Sequence, residues 1–384
     1  MGDMVSPQPS PSLSDLRVQM DARVPAMLTQ LERFVNTESP SLNIERLDES
    51  ARILAEIMTE VTGKSPMIIA SENGPHVHWK GSDETNVLFI GHHDTVFPLG
   101  EVAKRPFSLD GDIARGPGVF DMKAGIIQAI HALSAIPDSY HIEMLITADE
   151  EVGSYASREL IEQRALATGA VLVLEPSVGD GALKIARKGV GTFRVDITGR
   201  AAHAGLEPEK GINALLELAT QVQRIAAIAN PQLGTTVTPT VASAGTTENV
   251  VPANAQIVVD VRVVTPQEKE RVEREMAALA PTVSGASITV SGSINRPPMH
   301  ESASAVLFEV ARTVAAEMNI EGLIGVAVGG GSDGNFTAAI GVPTLDGLGA
   351  VGGGAHADSE HVLISRMGER ATLLAGVARA LVNR

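Results

Sequence analysis

The sequence predicts an α/β protein: a mixed sheet flanked by helices, interrupted by an inserted ferredoxin-like α+β domain. Short apolar runs at 86–90, 143–147 and 170–174 read as strands buried on both faces. Segments of helical spacing separate them, which is the βα rhythm of an open sheet covered on both sides. From about residue 190 the apolar runs give way to alternation, and the element order becomes β-α-β-β-α-β until about residue 299. A length of 384 residues suits two domains. The predicted division is a mobile tail at 1–12, a main domain at 13–189 and 300–384, and an insert at 190–299.

The elements follow in order. A helix is expected over 14–35, with Pro25 a point of kinking or breaking. Leu47, Ala51, Leu54, Met58 and Val61 have helical spacing and end at Gly63, a good C-cap. After the first strand a helix is expected at 123–133, and after the second at 156–164. Within the insert, strands are expected at 192–198, 235–243, 255–263 and 286–291, with helices at 212–228 and 266–279. A helix at 303–318, an apolar segment at 341–345 and a final helix at 365–382 return the chain to the main domain.

Composition narrows the chemistry. The net charge of −16, from 46 acidic and 30 basic residues, argues against a nucleic-acid binder and against docking on anionic membranes. With no cysteine, disulfides and thiolate metal sites are excluded, so any metal must be held by His, Asp and Glu. The first residues lack the basic and apolar regions of a secretory signal, and a cytoplasmic location is expected.

Three apolar strands run straight into residues that bind metals: Gly91-His92-His93-Asp94-Thr95, Asp149-Glu150-Glu151 and Glu175-Pro176. Open α/β sheets bind ligands beyond the C-terminal ends of their strands, so these groups should converge on one crevice. Gly116-Pro117-Gly118 leads to Asp121 just before a helix, and Gly352-Gly353-Gly354-Ala355 leads to His356. So many clustered carboxylates would repel one another without a cation. Oxygen and imidazole donors suit zinc, manganese or cobalt, and the surplus of donors over four suits two metals sharing a carboxylate. His93 should face away from the cluster, because adjacent strand residues point to opposite faces.

With these pieces in this order, the chain resembles the zinc metallopeptidase and amidohydrolase family of glutamate carboxypeptidase, aminoacylase and succinyl-diaminopimelate desuccinylase. The match extends through Gly199-Arg200-Ala201-Ala202-His203-Ala204-Gly205, Asn249-Val250-Val251-Pro252 and Asp260-Val261-Arg262 in the insert. It is nearest to the glutamate carboxypeptidase type, whose Gly-Arg-Pro element is matched by Asn295-Arg296-Pro297.

The resemblance implies a zinc-exopeptidase-like catalytic domain with a dimerisation and lid domain inserted. It implies that His92 and Glu175 hold one metal, Glu151 and His356 hold the other, and Asp121 bridges them, with the Asp121–Met122 bond cis. Asp94 would orient His92, Glu150 would be the general base to a metal-bridged hydroxide, and His203 would steady the oxyanion from the partner subunit of a homodimer. Arg262 and Asn249 match positions that grip a substrate α-carboxylate, and Arg296 is the candidate reader of an acidic side chain. Gly331 and Ser332 offer nearby backbone N–H groups.

The expected reaction is therefore cleavage of the amide bond before a C-terminal amino acid, in an N-acyl amino acid or a peptide. An N-acyl-amino-acid deacylase and a dipeptidase are the alternatives within catalysis. An inactive metal-binding scaffold is the alternative of another class, and the presence of Glu150 with every ligand disfavours it.

Overall fold

The computed structural model describes residues 11–137 and 139–382, which divide into two compact units. The first comprises the described parts of Met1–Ile185, Glu301–Ala327 and Ser332–Arg384, and the second comprises Ala186–His300 and Val328–Gly331. Of the expected tail, residues 1–10 lie outside the described residues. Ser12 is the N-cap of the helix Leu13–Val35, in a capping box with Asp15.

The first unit is built on a mixed six-stranded sheet. Its order is Met67–Ile69, His76–Lys80, Ile142–Thr147, Val87–His92, Val171–Val173, Thr344–Leu345. The last four are mutually parallel, and the first two pair antiparallel at one edge. Every residue of Val87–His92 and Ile142–Thr147 is buried, which is why their sequences are apolar rather than alternating. From Val87–His92 the chain returns on one side as Ile142–Thr147, then crosses to the other side as Val171–Val173. The strand order thus reverses about Val87–His92, the geometry that opens a crevice at the strand C-termini.

A second, smaller sheet in this unit matters more to the site than its size suggests. It orders Gly352–Gly353, His361–Leu363, Ile113–Arg115 and Ser108–Asp110, with His361 opposite Arg115. Because these strands run antiparallel, the segment after Arg115 lies beside the segment before His361. Asp121 is on the first and His356 on the second.

The helix Leu13–Val35 runs through Pro25 unbroken. Pro25 lies on the exposed face, where water can satisfy the carbonyl it leaves free, while Met20, Met27 and Leu31 anchor the buried face. The helix Ile44–Thr62 ends at Gly63, which adopts φ 72°, as expected of a left-handed cap.

The second unit is a four-stranded antiparallel sheet ordered Thr236–Ala244, Asn254–Val263, Gly189–Thr198, Ser287–Arg296. With the helices Ala214–Ala226 and Pro266–Ala277 between strands, this is the ferredoxin-like order. Gly189–Thr198 alternates between buried and more exposed positions, and Phe193, Val195 and Ile197 pack with Leu218, Ile225, Val272 and Met276 of the helices.

Candidate metal centre

The strand Val87–His92 delivers His92 to the crevice. Its Nδ1 lies 3.0 Å from the Asp94 backbone carbonyl and 3.3 Å from Asp94 Oδ1. Both neighbours are acceptors, so Nδ1 carries a proton, and in the neutral ring Nε2 is left as a lone-pair donor. That Nε2 lies 3.3 Å from Asp121 Oδ1 and 3.6 Å from Glu175 Oε1. On the other side, His356 Nε2 lies 3.3 Å from both Asp121 Oδ2 and Glu151 Oε1. The two oxygens of Asp121 therefore face different histidines, each accompanied by its own second carboxylate. His93 turns away, with its ring nitrogens against Ser50 Oγ at 3.0 Å and the Pro75 carbonyl at 2.9 Å. Burial holds its pKa down at about 4.

Asp94 does more than orient His92. Its Oδ1 accepts from the Glu150 backbone N–H and its Oδ2 from that of Glu151, each at 3.2 Å, and Ser41 Oγ donates to Oδ2 at 2.7 Å. One carboxylate thus fixes both the histidine and the Glu150–Val152 turn. Ser41 had no signal in the sequence. Neither had Lys184, whose Nζ lies 3.3 Å from Glu175 Oε2, nor Glu360, which accepts from the backbone N–H groups of Gly118, Phe120 and Asp121.

The electrostatics call for positive charge. Burial pushes the pKa of His92 down, but the carboxylates of Asp121, Asp94 and Glu175 outweigh it and raise it well above the ordinary imidazole value. Asp121, then Glu151, raise His356 to about 10. Burial raises the Glu151 carboxyl. Burial also lifts Glu360, to about 7, against three backbone hydrogen bonds that favour its charged form.

These residues fit a metal on two further counts. Among the described residues no hydrogen bond of acceptable geometry is made to the buried Asp121 Oδ1 or Glu151 Oε1, although a histidine Nε2 stands 3.3 Å from each. A buried carboxylate oxygen without a donor is costly unless a cation meets it. The repeated 3.3 Å spacing is also that of neighbouring donors on a tetrahedron with bonds of about 2.0 Å, roughly 3.3 Å along an edge. Ligand atoms of His92, Asp121 and Glu151 all lie within 4.8 Å of one another.

The second unit holds the other expected residues. His203 is exposed, and its Nδ1 accepts from the Gly205 and Leu206 N–H groups at 3.1 and 3.2 Å, which leaves Nε2 protonated and able to donate. Bridge pairing of His203 with Val250 and an Ala204 N–H bond to the Asn249 carbonyl at 2.9 Å bring His203 and Asn249 together. Arg262 is held by Asp260 on the same face of its strand, at 3.1 and 2.9 Å, and Nη1 lies 3.4 Å from the Gly329 carbonyl. Arg296 is buried at the end of its strand. The Gly331 carbonyl accepts from Arg187 Nη1 at 2.9 Å. In the first unit Ser332 is buried, its N–H bonded to Asn335 Oδ1 at 2.9 Å and its hydroxyl to Asp346 Oδ2 at 2.6 Å, where a substrate contact was expected.

Residues 88–380 match the description Peptidase family M20/M25/M40. The chain belongs to this family. Carboxypeptidase G2 of Pseudomonas sp. (strain RS-16) is 33% identical over 362 residues, covering 90% of this chain and 87% of its own. Succinyl-diaminopimelate desuccinylase of Thioalkalivibrio sulfidiphilus is 26% identical over 328 residues, covering 79% of this chain and 85% of its own. Among solved structures, an M20 family metallo-carboxypeptidase from Sulfolobus solfataricus superposes with a TM-score of 0.74 at 16% identity, covering 93% of this chain and 99% of its own.

As a member of the M20 family, the protein is a metal-dependent hydrolase of amide bonds, a metallopeptidase or amidohydrolase that acts on small peptide or acyl amino acid substrates. The family relation agrees with the donor chemistry of the crevice: an all-oxygen and imidazole set with unsatisfied carboxylate oxygens. Among the described residues no helix is long and apolar enough to cross a membrane.

Proposed function

We propose that this enzyme is a two-metal carboxypeptidase-type hydrolase that removes an acidic C-terminal amino acid from an N-acyl or peptide conjugate. The observation that carries the two-metal reading is the divided carboxylate of Asp121. One of its oxygens faces His92 with Glu175, and the other faces His356 with Glu151. His92, Glu175 and Asp121 would hold one ion, and His356, Glu151 and Asp121 the other, zinc by the donor set, with cobalt or manganese acceptable. When bound, the two ions supply Lewis-acid activation of water and of the scissile carbonyl.

The protein's own groups do the rest. Glu150 shares its turn with the ligand Glu151, and Asp94 fixes both of their backbone N–H groups. Glu150 takes a proton from the attacking water and returns it to the departing amine. The Nε2–H of His203 is oriented by the Gly205 and Leu206 amides to meet an oxyanion. In this reading a site receives the partner subunit's His203, within a cytoplasmic homodimer joined through the second unit. That unit supports pairing by an edge strand, Thr236–Ala244, exposed along most of its length, and by the exposed apolar side chains of Val241, Leu215 and Leu216. Arg262, clamped on one side by Asp260, meets the substrate α-carboxylate with Asn249, and Gly331 adds backbone contact. Arg296 reads the acidic side chain.

The test is a hydrolysis panel on metal-reconstituted enzyme: N-acyl glutamate, alanine and leucine, and an N-acyl glutamate with its α-carboxylate amidated. Cleavage should favour glutamate by a factor of ten or more and fail on the amide. Undiminished cleavage of the amide would remove the carboxypeptidase reading, and a preference for leucine or alanine would make the enzyme a general deacylase.

A further inference from the structure

We infer that Glu360 is a positioning residue of the metal centre, a buried carboxylate that ties the loop of Asp121 to the loop of His356 and sets the spacing of their donor atoms. The inference rests on the metal-ligand reading above. Glu360 is 1% exposed. Its Oε2 accepts from the Gly118 N–H, and its Oε1 accepts from the N–H groups of both Phe120 and Asp121, all at 2.9 Å. The loop makes this possible by turning sharply: Gly118 sits at φ 72°, and the backbone N–H groups about it converge on one point. A Cβ at Gly118 would lie 2.5 Å from Thr95 Cγ2, so the loop is pressed against the segment that follows His92.

The opposite end of Glu360 is anchored to His356. The Ala357 N–H donates to the Gly354 carbonyl at 2.9 Å, and the Glu360 N–H donates to the Ala357 carbonyl at 3.1 Å. His356 thus lies within the first of two successive turns, and the second ends at Glu360. A Cβ on Gly354 would lie 2.8 Å from the Ser359 carbonyl carbon, so the loop closes tightly on itself. His356 adopts φ 63°, a left-handed conformation that a non-glycine residue keeps only when its surroundings impose it.

Glu360 therefore grips the Asp121 backbone with its side chain while its own backbone closes the turn that directly follows the one presenting His356. The 3.3 Å separation of Asp121 Oδ2 and His356 Nε2 is the distance this link governs. Three backbone N–H groups could be satisfied at lower cost by carbonyls or water than by a desolvated carboxylate beside Asp121. A fixed anion at this position makes sense where cations are to be held, as the hydrogen-bonded surroundings of metal ligands do elsewhere.

Glu360→Gln tests this in the full-length protein. Glutamine keeps the volume, but its NH₂ must face at least one N–H donor, so at least one of the three bonds is lost. Four quantities are measured beside wild type: thermal unfolding without metal, zinc and cobalt bound per chain in metal-buffered dialysis, the visible spectrum of the cobalt-loaded protein, and kcat and KM separately. The metal-free variant should unfold within a few degrees of wild type. Its weaker metal should bind about 10- to 100-fold less tightly, its cobalt bands should shift, and kcat should fall with little change in KM. Wild-type affinity and spectrum in E360Q overturn the inference. So does a metal-free destabilisation large enough to account for the weaker binding, since Glu360 would then be structural only. If wild type itself binds fewer than two ions, the two-metal reading fails and the inference in this form with it, a failure the wild-type arm alone reveals. Should E360Q not fold, Glu360→Asp, which keeps the charge but shortens the reach, is expected to move the same readouts in the same direction, and wild-type values there overturn the inference equally.

Discussion

Acid should weaken this protein through one buried carboxylate that is not a candidate metal ligand. Glu143 lies at the start of the strand Ile142–Thr147, with the Glu150–Val152 turn beyond the far end. It has no solvent exposure and accepts from His78 Nε2 at 2.7 Å, from Arg164 at 2.5 and 2.6 Å, and from Thr85 Oγ at 3.0 Å. Burial pushes its carboxyl up, but His78 and Arg164 outweigh burial and bring its pKa from 4.5 down to about 2. A depressed folded pKa contributes stability that is fully present above the unfolded value and lost as pH falls toward the folded one. The contribution works out at about 3 kcal/mol at pH 5.5 and about 2 kcal/mol at pH 3.5. Glu143→Gln removes the titration and keeps the shape. Urea unfolding of metal-free wild type and variant at both pH values isolates the effect, since metal release and the other carboxylates are common to both. The stability gap should narrow by about 1 kcal/mol on acidification. A gap that does not change with pH would refute the reasoning.

Three predictions concern catalysis. Glu150→Gln should lower turnover by ~10²–10⁴-fold with metal content unchanged; loss of metal with an intact rate per bound ion would exchange the roles of Glu150 and Glu151. Inactive His203→Ala and Glu150→Gln proteins, mixed under subunit exchange, should recover activity toward about a quarter of wild type, since about half the dimers are mixed and each has one intact site; no recovery despite proven exchange would place His203 in its own subunit's site or outside catalysis. Arg262→Ala should weaken all substrates alike, whereas Arg296→Ala should lower kcat/KM by tens of fold or more for glutamate and little for alanine, as expected for a buried charge pair; equal losses on both would end the acidic-substrate proposal.

What was legible in the sequence followed from burial. Strands covered on both faces are mostly apolar, so Val87–His92, Ile142–Thr147 and Val171–Val173 stood out, and the polar residues at their C-terminal ends pointed to chemistry. The strand His76–Lys80, His-Val-His-Trp-Lys, did not stand out, because two histidines and a terminal lysine break any apolar run. The small sheet was silent for another reason. Its strands span two or three residues, too few for periodicity, and they exist through pairing between segments far apart in sequence, as His361 with Arg115. Glu360 was hidden in the same way: its acceptor role depends on N–H groups of Gly118, Phe120 and Asp121, and nothing local distinguishes it from a surface glutamate. Pro25 misled in the opposite direction, since a proline on a solvated helix face leaves its unpaired carbonyl to water and need not break the helix.

The two sheets divide the donors between them, and this division shows where precision is hard to achieve. His92 ends one strand of the central sheet, and Glu151 and Glu175 follow two others, whose parallel register fixes where those strands end relative to one another. Asp121 and His356 come from loops attached to the small sheet, and loops do not inherit register. Yet Asp121 faces both histidines, so an error in its placement would be felt at both donor sets at once. Donor positions matter to a few tenths of an ångström, and two strand pairings of two or three residues cannot supply that tolerance alone. The loops are instead cross-braced: to the central sheet through Gly118 pressed on Thr95, and to each other through Glu360. On this argument the stiffness of the centre resides in contacts that carry no metal-binding atom, and substitutions there should weaken metal binding before they unfold the chain.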